Sequence, residues 1–252
     1  MKRIILCEGK TDTILIGHFL IKKFGWTYSK KQVIIPLPVD RDNEVVKWYS
    51  HPEKRDGELA IWGVGGIDNL PARLGNVIER TQRERNPKNR FERIVLFFDR
   101  DRRNEEECAN LIKEWATNCK LKLTDTLQLG KWADATTDLF GKSPPEIYQL
   151  SILAIVLPPD GKGNLETFLI DALKKHSDVD KHLSEKASAF IGNLPDEPYL
   201  STQRLRPKAC LGAILSVMSV DWAFSKVHER LTQVQWEDIT SVLNAYQKLD
   251  EL

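Results

Sequence analysis

The chain has 252 residues and a formal net charge of +1, with 41% hydrophobic and 29% charged residues, an ordinary globular composition that needs neither disulfide nor structural metal to build a core. Balanced charge gives no general case for nucleic-acid binding, and no apolar run approaches the roughly 20 residues that span a bilayer. Met1-Lys2-Arg3 is a basic start, but the apolar run after it is too short for a signal peptide, so a cytoplasmic protein is expected.

Arg3 to Cys7 predicts a buried strand, and Thr11 to Phe24 a helix with Ile14, Leu15, His18, Phe19 and Lys22 at helical spacing. The turn between them is acidic: Glu8-Gly9-Lys10-Thr11-Asp12. Lys30 to Asp56 is polar apart from Val33 to Val39, whose prolines suit an inserted strand or edge segment. Glu58 to Val64 reads as the next strand, Gly65-Gly66 as a turn, and Ile67, Leu70, Leu74, Val77 and Ile78 as a helical stripe. Arg93 to Phe98 predicts a central strand that ends in Asp99-Arg100-Asp101, and Asn104 to Cys119 a helix with Cys108, Leu111, Ile112 and Trp115 on one face. Residues 120–148 are poorly patterned. Gln149 to Leu157 is strongly β-like, Pro158 to Gly163 is a turn, and Asn164 caps another helix.

Strand, turn and helix thus alternate, which predicts an α/β fold with a mostly parallel central sheet between helices. From about Ser177 only helical stripes remain, over Leu205 to Met218, Trp222 to Leu231 and Trp236 to Leu249. The expected division is a metal-binding α/β domain at 1–177 and a helical extension at 178–252 packed on it.

Functional groups of open α/β sheets gather at the carboxyl ends of the strands, where acids far apart in sequence can share a metal. On an extended segment Asp99 and Asp101 are expected to point to one side with Arg100 on the other, and Glu8 adds a further carboxylate. Hard Mg²⁺ or Mn²⁺, as one or two ions, is the matching cation for such oxygen donors, and it suits phosphodiester hydrolysis.

A strand, then Glu8-Gly9-x-x-Asp12, then Gly65-Gly66, then a strand and Asp99-x-Asp101 resembles the TOPRIM fold of topoisomerases, DnaG-type primases, ribosomal-RNA maturation nucleases and OLD-family nucleases. The likeness spans roughly the first 175 residues, and more narrowly the chain is similar to stand-alone OLD-like TOPRIM proteins of a domain-of-unknown-function family. It implies a TOPRIM-like, Rossmann-type architecture and a nuclease acting on DNA or RNA. The resemblance makes Asp12 a metal ligand, Glu8 a general base as well as a ligand, Glu166 the candidate for a second metal, and Lys208 a group that meets the scissile phosphate. Asp160 and Asp171 are weaker acidic candidates. It also implies a separately encoded ABC-type ATPase partner and a role in anti-phage defence; homo-oligomer formation stays open. Position 103 is arginine where topoisomerases and primases carry a third aspartate, which argues against strand passage and primer synthesis.

Each of these residues also has an ordinary explanation. Asp12 and Glu166 lie where an acid complements a helix dipole, and Lys208 opens a solvated helix with Arg204 and Arg206 nearby. Nine basic residues against four acids between Arg80 and Arg103 place positive charge beside the proposed site, though half of that run suits a solvated helix end and loop. Cys7, Cys108, Cys119 and Cys210 form no Cys-x-x-Cys pair, and the histidines lack metal spacing. Trp26, Trp48, Trp62 and Trp132 fit core packing better than base stacking. Two other readings remain: a non-catalytic nucleic-acid or partner-binding module, and a hydrolase of a small phosphorylated molecule.

Overall fold

The computed structural model describes residues 2–30, 44–54, 57–141, 144, 146–202, 204–222 and 227–252, with backbone alone at 227 and 228. Val33 to Val39, expected as an inserted strand, lies outside the described residues. The chain divides into two compact units: Met1–Lys162 with Lys248–Leu252, and Gly163–Gln247.

The first unit contains β1 (Lys2–Cys7), α1 (Lys10–Lys22), β2 (Thr27–Ser29), β3 (Val45–Ser50), β4 (Glu58–Gly63), α2 (Leu70–Arg83), β5 (Phe91–Asp99), α3 (Glu105–Asn118), β6 (Lys122–Leu123), β7 (Trp132–Asp138) and β8 (Ile147–Leu157). Its sheet runs β2-β3-β4-β1-β5-β8-β7-β6. The inner strands β4, β1, β5 and β8 are parallel, whereas β2, β3, β7 and β6 join antiparallel on the flanks. The sheet is therefore mixed, with a parallel centre.

The flanking strands are the ones the sequence hides. β7 alternates cleanly in burial, but the inward positions are Ala133, Ala135 and Thr137, too small or polar to give a strong period-2 signal. β3 falls inside the stretch read as polar, because Val45-Val46-Lys47-Trp48-Tyr49-Ser50 is half-buried on both sides and shows no alternation.

One face of the sheet, carrying Ile4, Leu6, Trp62, Ile94, Leu96 and Phe98, packs against Leu70, Leu74, Val77 and Ile78 of α2 and Cys108, Ile112 and Trp115 of α3. Alternation sends Ile5, Cys7, Leu59, Ile61, Val95 and Phe97 to the other face, where α1 lies against β4 and its neighbours. Gly17 permits that contact, since a Cβ there would collide with the Tyr49 hydroxyl of β3. At the sheet edge Glu44 is buried, taking Trp62 Nε1–H at 3.0 Å on one oxygen and Arg73 Nε–H at 3.1 Å on the other. The Arg73 guanidinium lies 5.3 Å over the Trp62 ring.

The second unit is helical: α4 (Leu165–His176), α5 (Asp178–Gly192), α6 (Leu205–Met218), α7 (Val227–Leu231) and α8 (Thr240–Tyr246). α4 packs on α5, α6 and α8, with Phe168, Leu169, Ala172 and Leu173 buried, and it falls in the helical unit although it precedes the expected boundary at 177. The single helix expected over Trp236 to Leu249 is broken. A 3-10 turn at Trp236–Asp238 precedes extended Ile239 (ψ 104°), α8 follows, and a second 3-10 turn occupies Gln247–Glu251. That last turn returns to the first unit, where Lys54 Nζ donates to the carbonyls of Asp250 (2.8 Å) and Leu252, and Arg93 to that of Glu251.

Candidate functional site

The carboxyl ends of β4, β1, β5 and β8 lie side by side, with Cys7 in register with Gly63 and Phe97, and Asp99 with Leu157. Four turns therefore share one edge: Val64 to Gly66, Glu8 to Asp12, Asp99 to Asn104, and Pro158-Pro159. Gly63 allows the first two to touch, since a Cβ there would sit 2.9 Å from the Gly9 carbonyl and from Thr13 Cγ2. Gly66 is glycine for its backbone, at φ 128°, and it donates its N–H to the Glu8 carbonyl at 2.7 Å.

Glu8 joins the two acidic motifs. Its Oε1 accepts the Asp99 backbone N–H at 2.8 Å, across 91 residues of sequence. Asp12 is buried in the first turn of α1, and its Oδ2 accepts the Gly9 N–H at 2.8 Å. The capping role is thus real for one oxygen of Asp12. Burial pushes the Cys7 thiol up, and Asp12 and then Glu8 push it further, which places both carboxylates within electrostatic reach of that sulfur. Cys7 is accordingly a packed, inert thiol. Burial also lowers the Lys47 ammonium, helped by Lys10.

Asp101 departs from expectation. β5 ends at Asp99, and Asp101 has φ 55°, a left-handed conformation that aspartate tolerates, so the alternation of an extended strand does not carry through to it. Arg103 Nη1 lies 3.5 Å from Asp101 Oδ2, from the Asp99 carbonyl and from the Arg100 carbonyl. Arg100 turns inward: it is 6% exposed and its N–H meets the Leu157 carbonyl at 2.6 Å. Its Nε donates to Pro158 at 3.0 Å and its Nη2 to Pro159 at 2.5 Å. The loop is pinned at its far end by Asn104, which caps α3 reciprocally with Glu107 at 2.7 and 2.8 Å. Among the described residues no group of three or more histidine, cysteine, aspartate and glutamate side chains stands ready to hold a metal ion.

Of the remaining candidates, Glu166, Asp171 and Lys208 lie in the helical unit and Asp160 in the sheet unit. Asn164 caps α4 as expected, accepting from Thr167 N–H at 3.0 Å, and Glu166 follows in the first turn. The Glu166 side chain, 13% exposed, faces Lys208 Nζ at 4.0 Å, so these two candidates partner each other. Arg206 is committed to the carbonyls of Ile191 (2.6 Å) and Leu194 (2.9 Å) and to Asp196 (2.7 Å), which fixes the loop before α6. Asp171 pairs with Lys174 at 3.2 Å, and Asp160 is exposed in the turn after β8.

The basic run divides. α2 leaves the carboxyl edge and ends at Arg83, and β5, which rises roughly 26 Å from Phe91 to Asp99, starts at the opposite edge, so Arg80, Arg83, Arg85, Lys88 and Arg90 lie towards that opposite edge. Arg90 is buried, with Nε bonded to the Glu84 carbonyl at 2.9 Å and its guanidinium 5.4 Å over Tyr148. Only Arg100, Arg102 and Arg103 stay beside the acids. Trp26 and Trp62 are buried and Trp48 and Trp132 partly so. Sequence reasoning passed over Arg100 as a residue pointing away from the acids. The proline pair after β8, which supplies the carbonyls it binds, was the available signal.

The model of a family described as a protein of unknown function, DUF3226, matches residues 2–222. The crystal structure of hypothetical protein PH0156 from Pyrococcus horikoshii OT3 is similar with a TM-score of 0.49 and 15% identity, over 100% of this chain and 95% of that one. No curated protein sequence matches the chain at a significant level.

Proposed function

The chain belongs to the DUF3226 family, and we propose that it is a divalent-metal-dependent nuclease of TOPRIM-like architecture that hydrolyses DNA or RNA phosphodiesters in the cytoplasm. The observation that carries this reading is the 2.8 Å bond from the Asp99 N–H to the Glu8 carboxylate, by which acids from two distant motifs meet at one edge of a parallel sheet. The donor set is all carboxylate, which suits Mg²⁺ or Mn²⁺, and Glu8, Asp12, Asp99 and Asp101 are the residues that would hold it. When bound, such an ion polarises the phosphodiester and offsets charge on the leaving oxygen.

The protein's own part is to orient these groups. The Asp99 N–H holds one oxygen of Glu8, the proposed ligand and base, and the Gly9 N–H holds one oxygen of Asp12, the proposed ligand beside it. Arg100 ties the Asp99 turn to the end of β8. Glu166 and Lys208, paired with each other, are further proposed participants, as second-metal ligand and phosphate contact. A separately encoded ATPase partner and a defence role belong to the same proposal.

A non-catalytic binding module is the second reading. It is favoured by Asp101 being held beside Arg103 rather than grouped with the other acids. The test is cleavage of plasmid DNA, single-stranded DNA and structured RNA with Mg²⁺ or Mn²⁺. Metal-dependent cutting that falls about 100-fold or more in both Glu8→Gln and Asp99→Ala supports the nuclease. Metal binding by calorimetry without cutting of any polymer supports the module instead.

A further inference from the structure

We propose that the basic rim at the carboxyl end of α2, away from the acidic edge, is a contact surface for single-stranded nucleic acid, with Arg80, Arg83, Arg85 and Lys88 meeting phosphates and Phe140 stacking on a base. The inference rests on the nucleic-acid substrate of the reading above and uses neither the acids nor a metal. Residues 79–90 carry five basic side chains, Arg80, Arg83, Arg85, Lys88 and Arg90, against two acids, Glu79 and Glu84. The dipole of α2 accounts for Arg80 and Arg83 as cations in its last turn, but Arg85 and Lys88 lie beyond the helix and are exposed. Both acids are engaged: Glu79 Oε1 pairs with Arg83 Nη2 at 2.6 Å, and Glu84 Oε1 accepts the Asn86 N–H at 2.9 Å. The rim keeps a surplus of positive charge.

Two further features select the occupant. An open cleft of about 400 Å³ is lined by Asn76, Glu79, Arg80, Arg83 and Glu84. Arg80 Nε is shut off from solvent and has no hydrogen-bond partner among the described residues, a cost that a phosphate in the cleft offsets by pairing with the guanidinium. Phe140 is 50% exposed, yet its place is fixed: its N–H donates to the Gln82 carbonyl at 3.0 Å, and the Gln82 side chain donates to Thr137 Oγ1 at 2.6 Å. The Arg83 guanidinium lies 5.8 Å from the Phe140 ring centroid. An exposed ring held beside arginines is how single strands are bound without base readout, the ring stacking on a base while the cations follow the backbone. An acidic protein segment would use the charge and leave the ring idle, and a duplex has no unstacked base to offer it. The rim and Asp99 belong to opposite ends of β5, so a strand can occupy the rim whatever the state of the acids.

The test is fluorescence anisotropy of labelled single-stranded DNA and RNA of about 16 nucleotides, with the full chain in EDTA over a salt series. The variants are Arg83→Gln, Arg85→Gln with Lys88→Gln, Phe140→Leu and Phe140→Trp, all at exposed positions, with melting curves to verify that each is folded. Arg83→Gln is expected to weaken binding and to make the slope of log affinity against log salt shallower by about 0.7, and the Arg85/Lys88 double variant by about 1.4. Phe140→Leu is expected to bind about 10-fold weaker with the slope unchanged, and Phe140→Trp to restore affinity. This pattern without metal-dependent cutting upholds the surface and removes the nuclease reading. Wild-type binding that none of the folded variants alters overturns the inference, and if Glu8 and Asp99 are still required for cutting, the nuclease reading stands. A wild-type chain that binds neither polymer in EDTA also overturns it, as does poly-glutamate competing as well as unlabelled oligonucleotide, which would make the rim a dock for an acidic protein.

Discussion

Asp12 and Cys119 show how a single position acquires its chemistry from its surroundings. Asp12 uses one oxygen to hold the Gly9 N–H, the capping role that its place in the sequence suggests, and its proposed metal role depends on the other. Cys119 has burial alone acting on it, and its thiol is pushed from 9.0 up to about 11. Its folded-state value lies above the unfolded one, so its contribution is complete below about pH 9 and is lost as pH rises towards 11. Denaturation at a series of pH values should show Cys119→Ala losing stability less steeply than wild type across that interval; identical slopes would remove the thiol from the account. What was legible at this scale was identity and place: Glu8, Asp99 and Asn164 stand where the sequence puts them. What was not legible was conformation. The period-2 rule holds only while backbone stays extended, and Asp101, two residues along but at φ 55°, lies beyond its reach.

Among the elements, those with large apolar side chains were readable and those built from small or evenly mixed ones were not. β1, β4, β5 and β8 announce themselves because both faces are covered and their residues run nearly continuous in hydrophobicity. β3 and β7 are placed instead by pairing with β4 and β8, partners that a local window does not contain. The same non-local logic gives α1 its seat. Gly17 is a helix residue of poor propensity whose value lies in admitting Tyr49. Gly17→Ala should therefore destabilise by about 1–3 kcal/mol in chemical denaturation although alanine is the better helix former, and adding Tyr49→Phe should recover part of the loss. A more stable Gly17→Ala would show that the contact relaxes freely.

For the whole molecule, a near-neutral total conceals an uneven charge map. The acids collect at one edge of the sheet, the larger share of the Arg80 to Arg103 run at the opposite one, and sequence proximity misled because α2 and β5 each cross the full depth of the sheet. If the acids bind a divalent cation in the folded state alone, Mn²⁺ should raise thermal stability with concentration, by about 2.7 kcal/mol at a hundred times its dissociation constant, and Asp99→Ala should remove most of that rise. A concentration-independent melting curve in wild type would speak against a site in unit 1. The return of Lys248–Leu252 to the first unit has its own thermodynamic consequence. The helical unit is an excursion of roughly 85 residues between two parts of one fold, and when it melts those parts must close a disordered loop at an entropic cost of about 4 kcal/mol from length alone. Keeping the last turn on Lys54 and Arg93 then carries that closure cost, so covalent connectivity alone makes melting of one unit a load on the other.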